Sequence, residues 1–243
     1  MLVLPNIDLV DGKVVRLAQG RYDHQTVYSD DPSAIARTFA QAGATWIHMV
    51  DLDAAKSGKP SNSGSVQAVR KAVSAKIQLG GGARNETIIR DMLAAGVDRV
   101  IVGSAALSDW QWFEHLLSDT QLACHLALSL DVRGGKLAIH GWKKQLDTTP
   151  MELAKRVANS SLAAIVHTDI ARDGMLTGIN IEETEKLVSA TDIPIIAAGG
   201  VRSVSDVCRC RQIGCGGVVV GKAYYEGKVD LAEAIAEAGD QSE

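Results

Sequence analysis

The sequence predicts an α/β protein, a single (β/α)8 barrel of the TIM type built from two homologous half-barrels. Three observations predict it: eight short apolar runs, helical patterns between them, and a second half that repeats the first. Nearly unbroken apolar runs suit parallel strands buried on both faces, and strand–helix alternation is typical of α/β folds. One such barrel takes about 250 residues, so we expect one domain over residues 1–243.

The apolar runs are rich in β-branched residues and are predicted to be the barrel strands. They are Leu2–Val10, Thr45–Asp51, Lys76–Gly80, Arg99–Gly103, Cys124–Asp131, Leu162–Asp169, Ile193–Ala198 and Gly217–Gly221. The stretch Lys56–Gly64 is rich in Ser, Gly, Lys and Asn. It is predicted to be a long loop after the second strand.

Start and stop signals mark the helices between the strands. Asp31 precedes Pro32, which is a capping residue followed by proline at the first helical position. Gly43 ends that helical pattern. Further helices are predicted to begin after Asn85, Asn180 and Ser203.

Composition narrows the classes of partner. The net charge is −4 and no basic run stands out, which argues against nucleic-acid binding. No apolar run approaches the ~18 residues of a membrane span. The four cysteines include no C-x-x-C pair, which favours reduced thiols in a cytosolic protein. We therefore expect a cytoplasmic protein that binds neither nucleic acid nor a membrane. We also expect a monomer, although no pattern in the sequence determines the oligomeric state.

The chain repeats itself at about half its length, over residues 1–120 and 121–243, hereafter the N-terminal and C-terminal halves. At an offset of 118 residues, Asp51, Asn62 and the run Gly81–Arg84 match Asp169, Asn180 and the run Gly199–Arg202. At an offset of 123, Asp8, Gly12 and Lys13 match Asp131, Gly135 and Lys136. Four βα units used twice would place equivalent groups opposite each other across the barrel mouth.

Two of the repeated residues are candidate catalytic groups. Asp8 and Asp131 lie at the carboxyl ends of the first and fifth predicted strands, where active sites of these barrels are built. These strands are opposed in an eight-stranded ring, so the two carboxylates could serve as base and acid. The alternative is that each one only caps a loop.

Paired glycines are candidate phosphate sites. Gly80–Gly82 and Gly103-Ser104 follow the third and fourth strands, and Gly199-Gly200 and Gly221-Lys222 follow the seventh and eighth. Glycine lets backbone amides approach a phosphate, and a following helix adds a favourable dipole. Two such sites predict a small-molecule ligand phosphorylated at both ends, unless the glycines merely form tight turns.

Other polar residues flank these positions. Arg84 and Arg202 could bind phosphate or pair with a neighbouring helix, and Asp51 and Asp169 could bind ligand hydroxyls or brace the barrel rim. A polar run from Thr168 through Asp173 to Gly174 follows the sixth strand. Trp142 could stack on a flat ring or pack in the core.

The histidines show no zinc-site spacing, and no dinucleotide fingerprint follows the first strand. We therefore expect no metal and no cofactor. His48 and His167 lie inside predicted strands and are expected to be core or rim residues.

Several ordered motifs resemble one barrel family. They are Pro5–Leu9 with Gly12, Val15–Gly20, Ser129–Arg133, Gly141-Trp142, Thr168–Gly174 and Ala198–Arg202. The family is phosphoribosylformimino-5-aminoimidazole carboxamide ribotide isomerase of histidine biosynthesis, and the resemblance covers nearly the whole chain. It implies a doubled half-barrel and an Amadori rearrangement that turns an aminoaldose with two phosphates into an aminoketose.

The resemblance also implies roles for particular residues. Asp8 would take the C2′ proton as the base, Asp131 would open the ribose ring as the acid, and Thr168 would assist the acid. Substrate and phosphate binding is predicted for Arg16, Gly82, Arg84, Gly103, Ser104, Trp142, Asp173, Gly174, Gly200, Gly221 and Lys222. The chain departs from the family where Arg21, Ala83 and Met175 replace an acidic residue, a valine or isoleucine, and a threonine.

Three alternatives to this function remain open at the level of sequence. The enzyme could also accept phosphoribosylanthranilate, which undergoes a parallel rearrangement. It could be the sister cyclase that makes imidazole glycerol phosphate, although Asn6-Ile7-Asp8 favours the isomerase. A barrel that only binds phosphorylated ligands is the third alternative, because fold alone does not establish an activity.

Overall fold

The structure is a computed structural model and describes residues 1–239. The strands are β1 (Leu2–Val10), β2 (Lys13–Ala18), β3 (Arg21–Ser29), β4 (Trp46–Asp51), β5 (Lys76–Gly80), β6 (Arg99–Val102), β7 (Leu126–Arg133), β8 (Lys136–Ile139), β9 (Lys144–Gln145), β10 (Ala164–Asp169), β11 (Ile195–Ala198) and β12 (Gly217–Val220). The helices are α1 (Pro32–Gln41), α2 (Leu52–Ser57), α3 (Ser63–Ala72), α4 (Glu86–Ala94), α5 (Ser104–Ser108), α6 (Trp110–Ser118), α7 (Thr120–Ala123), α8 (Pro150–Val157), α9 (Ile181–Val188), α10 (Val204–Gln212), α11 (Lys222–Tyr225) and α12 (Leu231–Ala238).

Eight parallel strands close into a ring in the order β1, β4, β5, β6, β7, β10, β11, β12. The ring closes where β12 pairs with β1, and β7 pairs with β10 at the junction inside the second half. These are the eight strands predicted from the apolar runs, which confirms the barrel. Since the strands are parallel, their carboxyl ends share one face of the molecule.

An antiparallel hairpin follows the first strand of each half. The β1–β2 turn is made by Asp11 and Gly12, with φ of 49° and 75°, and the β7–β8 turn by Gly134 and Gly135, with φ of 58° and 76°. Two consecutive left-handed residues are the signature of a type I′ turn, which suits the twist of paired strands. The nine-residue β3, which extends the first hairpin, was not predicted, because its exposed residues carry no apolar pattern.

Most helix boundaries follow the predicted caps. Asp31 Oδ1 accepts hydrogen bonds from Ser33 N at 2.9 Å and Ala34 N at 3.0 Å. The prediction of a loop over Lys56–Gly64 is wrong at both ends, because α2 extends to Ser57 and α3 begins at Ser63. Asp51 caps α2 through Ala54 N, and this cap draws the chain into a helix directly after β4.

The core has two layers. The larger layer lies between the strands and the surrounding helices. A smaller apolar cluster fills the inside of the barrel and consists of Leu4, Ile101, Ala127, Ala164, Val166, Ile196 and Val219. Above it the barrel opens toward the carboxyl ends of the strands. Within residues 1–239, no helix has the length and apolar character that a membrane crossing requires.

Candidate active site

A cavity of about 740 Å³ occupies the carboxyl-end mouth of the barrel. Residues from all eight barrel strands or the loops that follow them line it. The structure brings every predicted catalytic and binding residue to this cavity: Asp8, Asp131, Thr168, Arg16, Gly82, Arg84, Gly103, Ser104, Trp142, Asp173, Gly174, Gly200, Gly221 and Lys222. The sequence therefore located the cavity, while the role of each residue stays a prediction.

Asp8 lies on β1 and is 7% exposed. Its Oδ2 accepts a hydrogen bond from Arg16 Nη1 at 2.7 Å, and its Oδ1 accepts one from Asn6 Nδ2 at 3.0 Å. Burial raises the pKa of Asp8, and the Arg16 charge and the Asn6 hydrogen bond oppose that rise. The guanidinium thus favours the carboxylate form in a buried place that would otherwise disfavour it.

Asp131 lies at the equivalent position on β7 and is bound by neutral donors. Its Oδ1 accepts from Ser129 Oγ at 2.9 Å, and its Oδ2 accepts from Trp142 Nε1 at 2.8 Å. Burial raises the pKa of Asp131, and the hydrogen bonds from Trp142, Ser129 and Thr168 oppose the rise. Among the described residues no cation pairs with this carboxyl group.

Asp173 is a third carboxyl group in the cavity and comes from the loop after β10. Its Oδ1 lies 3.5 Å from Arg16 Nη2, so one guanidinium stands between Asp8 and Asp173. Burial raises the pKa of Asp173 to about 6; Arg16 lowers it, and the charges of Asp8 and Asp131 raise it further. This carboxyl group can gain or lose a proton near neutral pH.

The first pair of glycine loops packs directly on neighbouring backbone. Gly81 has φ of 99°, and an added Cβ would lie 2.2 Å from Asp51 O. Gly199 has φ of 85°, and its Cβ would lie 2.6 Å from Asp169 O. No other residue type fits this combination of left-handed backbone and close approach. The two loops thus reach the cavity in the same conformation.

Gly103 and Gly221 form the second equivalent pair. Their backbone angles nearly coincide, with φ and ψ of −113° and −102° at Gly103 and −105° and −108° at Gly221. Each precedes a short helix, α5 or α11, so amides at the start of that helix face the cavity mouth. Ser104 and Lys222 are the first residues of these helices and line the cavity.

The two arginines that follow the glycine runs differ. Arg84 lines the cavity, and its Nη2 donates to Ala55 O at 3.1 Å. Arg202 does not line it; its backbone N donates to Asp206 Oδ2 at 3.0 Å, and its side chain lies beside the same carboxylate. Arg84 is therefore available to an anionic ligand, whereas Arg202 pairs with helix α10.

Asp51 and Asp169 brace the rim rather than face the ligand. Asp51 Oδ1 accepts from Asn62 Nδ2 at 2.7 Å, and Asp169 Oδ2 accepts from Asn180 Nδ2 at 2.9 Å. Neither aspartate lines the cavity. The sequence left open whether these two aspartates bind ligand hydroxyls or brace the barrel rim. The structure supports bracing of the rim.

Trp142 forms part of a cover over the cavity. It has φ of 67°, and a Cβ added to Gly20 would lie 2.6 Å from its ring. The backbone N of Gln19 donates to Asp173 O at 3.2 Å. The turn between β2 and β3 thus lies against both Trp142 and the loop after β10.

Three cavity residues were not predicted as functional. Asn6 and Ser129 each stand two residues before a candidate aspartate and donate to it. Because side chains two residues apart on a strand lie on the same face, Asn6 shares a face with Asp8, and Ser129 with Asp131. The sequence could therefore have predicted these two donors. His48 was expected in the core or at the rim, yet it lines the cavity. This position depends on how β4 pairs with β1 and β5 in the barrel, which the sequence around His48 does not show.

Comparisons with known proteins give the family of the chain and several similar proteins. A family model described as histidine biosynthesis protein matches residues 2–230. A 1-(5-phosphoribosyl)-5-{(5-phosphoribosylamino)methylideneamino} imidazole-4-carboxamide isomerase of Methylococcus capsulatus is 44% identical over 241 residues, covering 97% of this chain and 98% of the relative. Proteins of the same name from Thioalkalivibrio sulfidiphilus (44% over 240 residues, 96% and 98% covered) and Aliarcobacter butzleri (42% over 236 residues, 97% and 99% covered) are also similar.

Proposed function

The chain belongs to the histidine biosynthesis protein family, and from this premise we propose that it is an aldose–ketose isomerase of histidine biosynthesis. Its substrate is the aminoaldose N-(5-phosphoribosylformimino)-5-aminoimidazole-4-carboxamide ribotide, which an Amadori rearrangement converts to the aminoketose. One observation carries the proposal: two opposed carboxyl groups share one cavity with two equivalent pairs of glycine loops. We call these pairs the glycine cradles; one contains Gly82 and Gly103, and the other contains Gly200 and Gly221.

The cradles suit a ligand with a phosphate at each end. Gly82 and Gly103 border one side of the cavity, and Gly200 and Gly221 border the other. Backbone amides and helix starts attract phosphate oxygens, and Arg84 and Lys222 are nearby cations on these loops. A volume of about 740 Å³ lies within the range of small-molecule sites.

Asp8 is suited to be the base. Burial raises the pKa of Asp8, and the ion pair with Arg16 at 2.7 Å opposes that rise and so favours the carboxylate form. An ionised carboxylate can take the C2′ proton once the sugar ring has opened.

Asp131 is suited to be the acid. It lacks a cationic partner among the described residues, and burial favours its protonated form. Ser129, Trp142 and Thr168 orient it, so that it can protonate the ribose ring oxygen and open the ring.

Asp173 is a second candidate for the acid, because its pKa is raised to about 6. A general acid works best when its pKa lies near the working pH. If Asp173 supplies the proton, kcat falls as pH rises through about 6. In Asp173→Asn this fall then disappears from the plot of kcat against pH. If Asp131 supplies it, the limb persists in Asp173→Asn.

We also propose that the protein works in the cytoplasm and as a monomer. Its four cysteines are all free thiols in the structure, which suits a reducing compartment. The cavity is lined by this chain's own strands and loops, so the site needs no residue from a second copy.

The proposal is tested by turnover of the bisphosphorylated aminoaldose, run beside phosphoribosylanthranilate. Conversion of the aminoaldose alone means a dedicated isomerase, and conversion of both means a dual-substrate enzyme. If neither is converted, the proposed reaction is wrong, and a cyclase assay with ammonia and a binding assay then separate the two remaining alternatives.

A further inference from the structure

Asn6 stands two residues before Asp8 on the same face of β1, lines the cavity and is 4% exposed. Its Nδ2 donates to Asp8 Oδ1 at 3.0 Å, while Arg16 Nη1 donates to Asp8 Oδ2 at 2.7 Å. The carboxylate is thus held at both oxygens, by one donor on its own strand and one on β2. Each carboxylate oxygen has two acceptor positions, so one position on each oxygen remains for a substrate proton.

The same place in the C-terminal half carries a different donor. At the repeat offset of 123 residues, Asn6 corresponds to Ser129, whose Oγ donates to Asp131 Oδ1 at 2.9 Å. An amide nitrogen only donates, so it favours an ionised carboxylate, whereas a hydroxyl can donate or accept and suits both protonation states of a carboxyl group. The candidate base therefore has a donor-only neighbour, and the candidate acid has a neighbour that can follow a change in its protonation.

The Asn6 amide also carries an atom that destabilises the fold. Its Oδ1 is buried and has no hydrogen-bond partner among residues 1–239. A buried acceptor without a partner lowers the free energy of unfolding. A serine at the equivalent position donates to its aspartate without such an atom. Stability therefore does not account for an amide here, which leaves the contact with Asp8 as its role.

Asn6 is in turn held by the short helix that follows Gly221. The hydroxyl of Tyr225, the last residue of α11, donates to the backbone oxygen of Asn6 at 2.7 Å. Burial raises the pKa of Tyr225, so the hydroxyl keeps the proton that it donates. Because α11 begins at Lys222, directly after Gly221, this four-residue helix connects one glycine cradle to the strand that carries the candidate base.

We propose that Asn6 is a positioning residue for the base Asp8, and that Tyr225 holds Asn6 in place from the helix that follows Gly221. This rests on the proposed function. Asn6 acts through Asp8: it keeps the carboxylate oriented toward the C2′ proton and favours its ionised form. The helix that borders a bound phosphate is then also the one that positions the base.

Other charged or titratable groups surround Asp8, and they are unchanged in variants of Asn6. They are Arg16 on β2, Tyr22 on β3, His48 on β4, Asp173 after β10 and Tyr225 on α11. The pKa of Asp173 is raised to about 6, so a pH–rate profile can contain its titration too. The titration of Asp8 is therefore also followed on its own carboxyl carbon, as described below.

The first test compares Asn6→Ala with Asn6→Ser. Asn6→Ala removes the donor, so kcat should fall by about 10–10²-fold with little change in KM, because misplacement of a reacting group by about 1 Å can cost about 10²-fold. The acidic limb of the kcat/KM profile should move to higher pH, since the hydrogen bond from Asn6 lowers the pKa of Asp8. Asn6→Ser should restore most of both, because a serine reaches the aspartate from the equivalent position in the other half.

The second test removes only the hydroxyl that holds Asn6. In Tyr225→Phe, kcat should fall by about three- to tenfold, the range of one neutral hydrogen bond, with little change in KM. Tyr224→Phe is the matched control and should behave as the wild type. Tyr224 lies on the same helix and contacts Phe39 and Tyr225 through its ring, which phenylalanine keeps.

The third test does not depend on activity. Carbon-13 NMR of the aspartate carboxyl groups follows the titration of Asp8 without substrate, and the signal of Asp8 is the one that Asp8→Asn lacks. The midpoint of this titration should lie at higher pH in Asn6→Ala than in the wild type. In Asn6→Ser it should lie close to the wild-type midpoint.

Three outcomes would overturn the proposal. They are a kcat of Asn6→Ala within about threefold of the wild type, no more than one weak hydrogen bond contributes; equal losses of kcat in Asn6→Ala and Asn6→Ser at unchanged melting temperature; and an Asp8 midpoint that Asn6→Ala leaves unmoved. If Asn6→Ala does not fold, equal kcat values in Tyr225→Phe and Tyr224→Phe overturn it instead. Inactivity of the wild-type enzyme toward the aminoaldose would overturn the proposed function, while the carbon-13 titration would still test the contact between Asn6 and Asp8.

Discussion

The two halves of the barrel share the backbone of the site and differ in the side chains that surround the two aspartates. Gly81 and Gly199, and Gly103 and Gly221, adopt matching conformations. Asp8 is paired with a guanidinium, whereas Asp131 is held by an indole and hydroxyl groups.

This difference shows how a symmetric scaffold can support an asymmetric reaction. Two phosphates are alike, so equivalent glycine cradles can bind both. A base and an acid must differ in proton affinity, and a charged neighbour beside only one of two carboxyl groups acts in the direction that separates them. Position 139, which matches Arg16 at the offset of 123, is Ile139, so the repeat has no cation there.

The largest expected effect comes from removing either carboxylate. Asp8→Asn and Asp131→Asn should each lower kcat by about 10²–10⁴-fold, the usual contribution of a general acid or base. Steady-state turnover of the aminoaldose measures this, and the melting temperature checks the fold. Asp91→Asn, an exposed aspartate on α4, should behave as the wild type. A near-normal rate in either cavity variant would refute the two-carboxylate mechanism.

Removing the charge beside Asp8 should make the two halves more alike. In Arg16→Met, Asp8 loses the cation that opposes its burial, so its pKa rises. The acidic limb of the kcat/KM profile should therefore move up by about 1–3 pH units. Arg16→Lys should move it less, because the charge remains. An unmoved acidic limb in Arg16→Met would show that Asp8 is not the base.

The glycine cradles should differ in their tolerance of a methyl group. A Cβ at Gly221 would lie 2.9 Å from Cζ of Arg16, which is held between Asp8 and Asp173, whereas a Cβ at Gly103 would lie 3.3 Å from Ser129 Cβ. Gly221→Ala should raise KM by about tenfold, equivalent to about 1.4 kcal/mol, and Gly103→Ala by less. Equal KM values would show that the Arg16 contact does not restrict that cradle.

The smallest effect concerns stability and pH. The folded-state pKa of Asp173 is about 6 against an ordinary value of 3.8. The folded protein thus binds this proton more tightly, and its stability falls as pH rises from about 4 to 6. Asp173→Asn should raise the melting temperature by about 2–6 °C at pH 7.5 and change it little at pH 4. A lower melting temperature at pH 7.5 would contradict this.

Local patterns in the sequence were sufficient for the barrel and for the location of the site. The apolar runs predicted all eight barrel strands, since a strand buried on both faces must be apolar whatever its neighbours are. The positions of Asp8, Asp131 and the glycines at strand ends placed them at the mouth, because parallel strands present their carboxyl ends on one face. The strand β3 was missed because exposed residues carry no such pattern.

The chemistry at each position was decided only by the tertiary structure. The contact between Arg16 and Asp173 joins residues far apart in sequence, as does the hydrogen bond from Tyr225 to Asn6. Proton affinity depends on burial and on charges a few ångströms away, and neither quantity is a property of a residue's place in the chain. The sequence by itself thus determined a doubled barrel with two opposed carboxylates, whereas the fold decided which carboxylate has a cation beside it and which histidine lines the cavity.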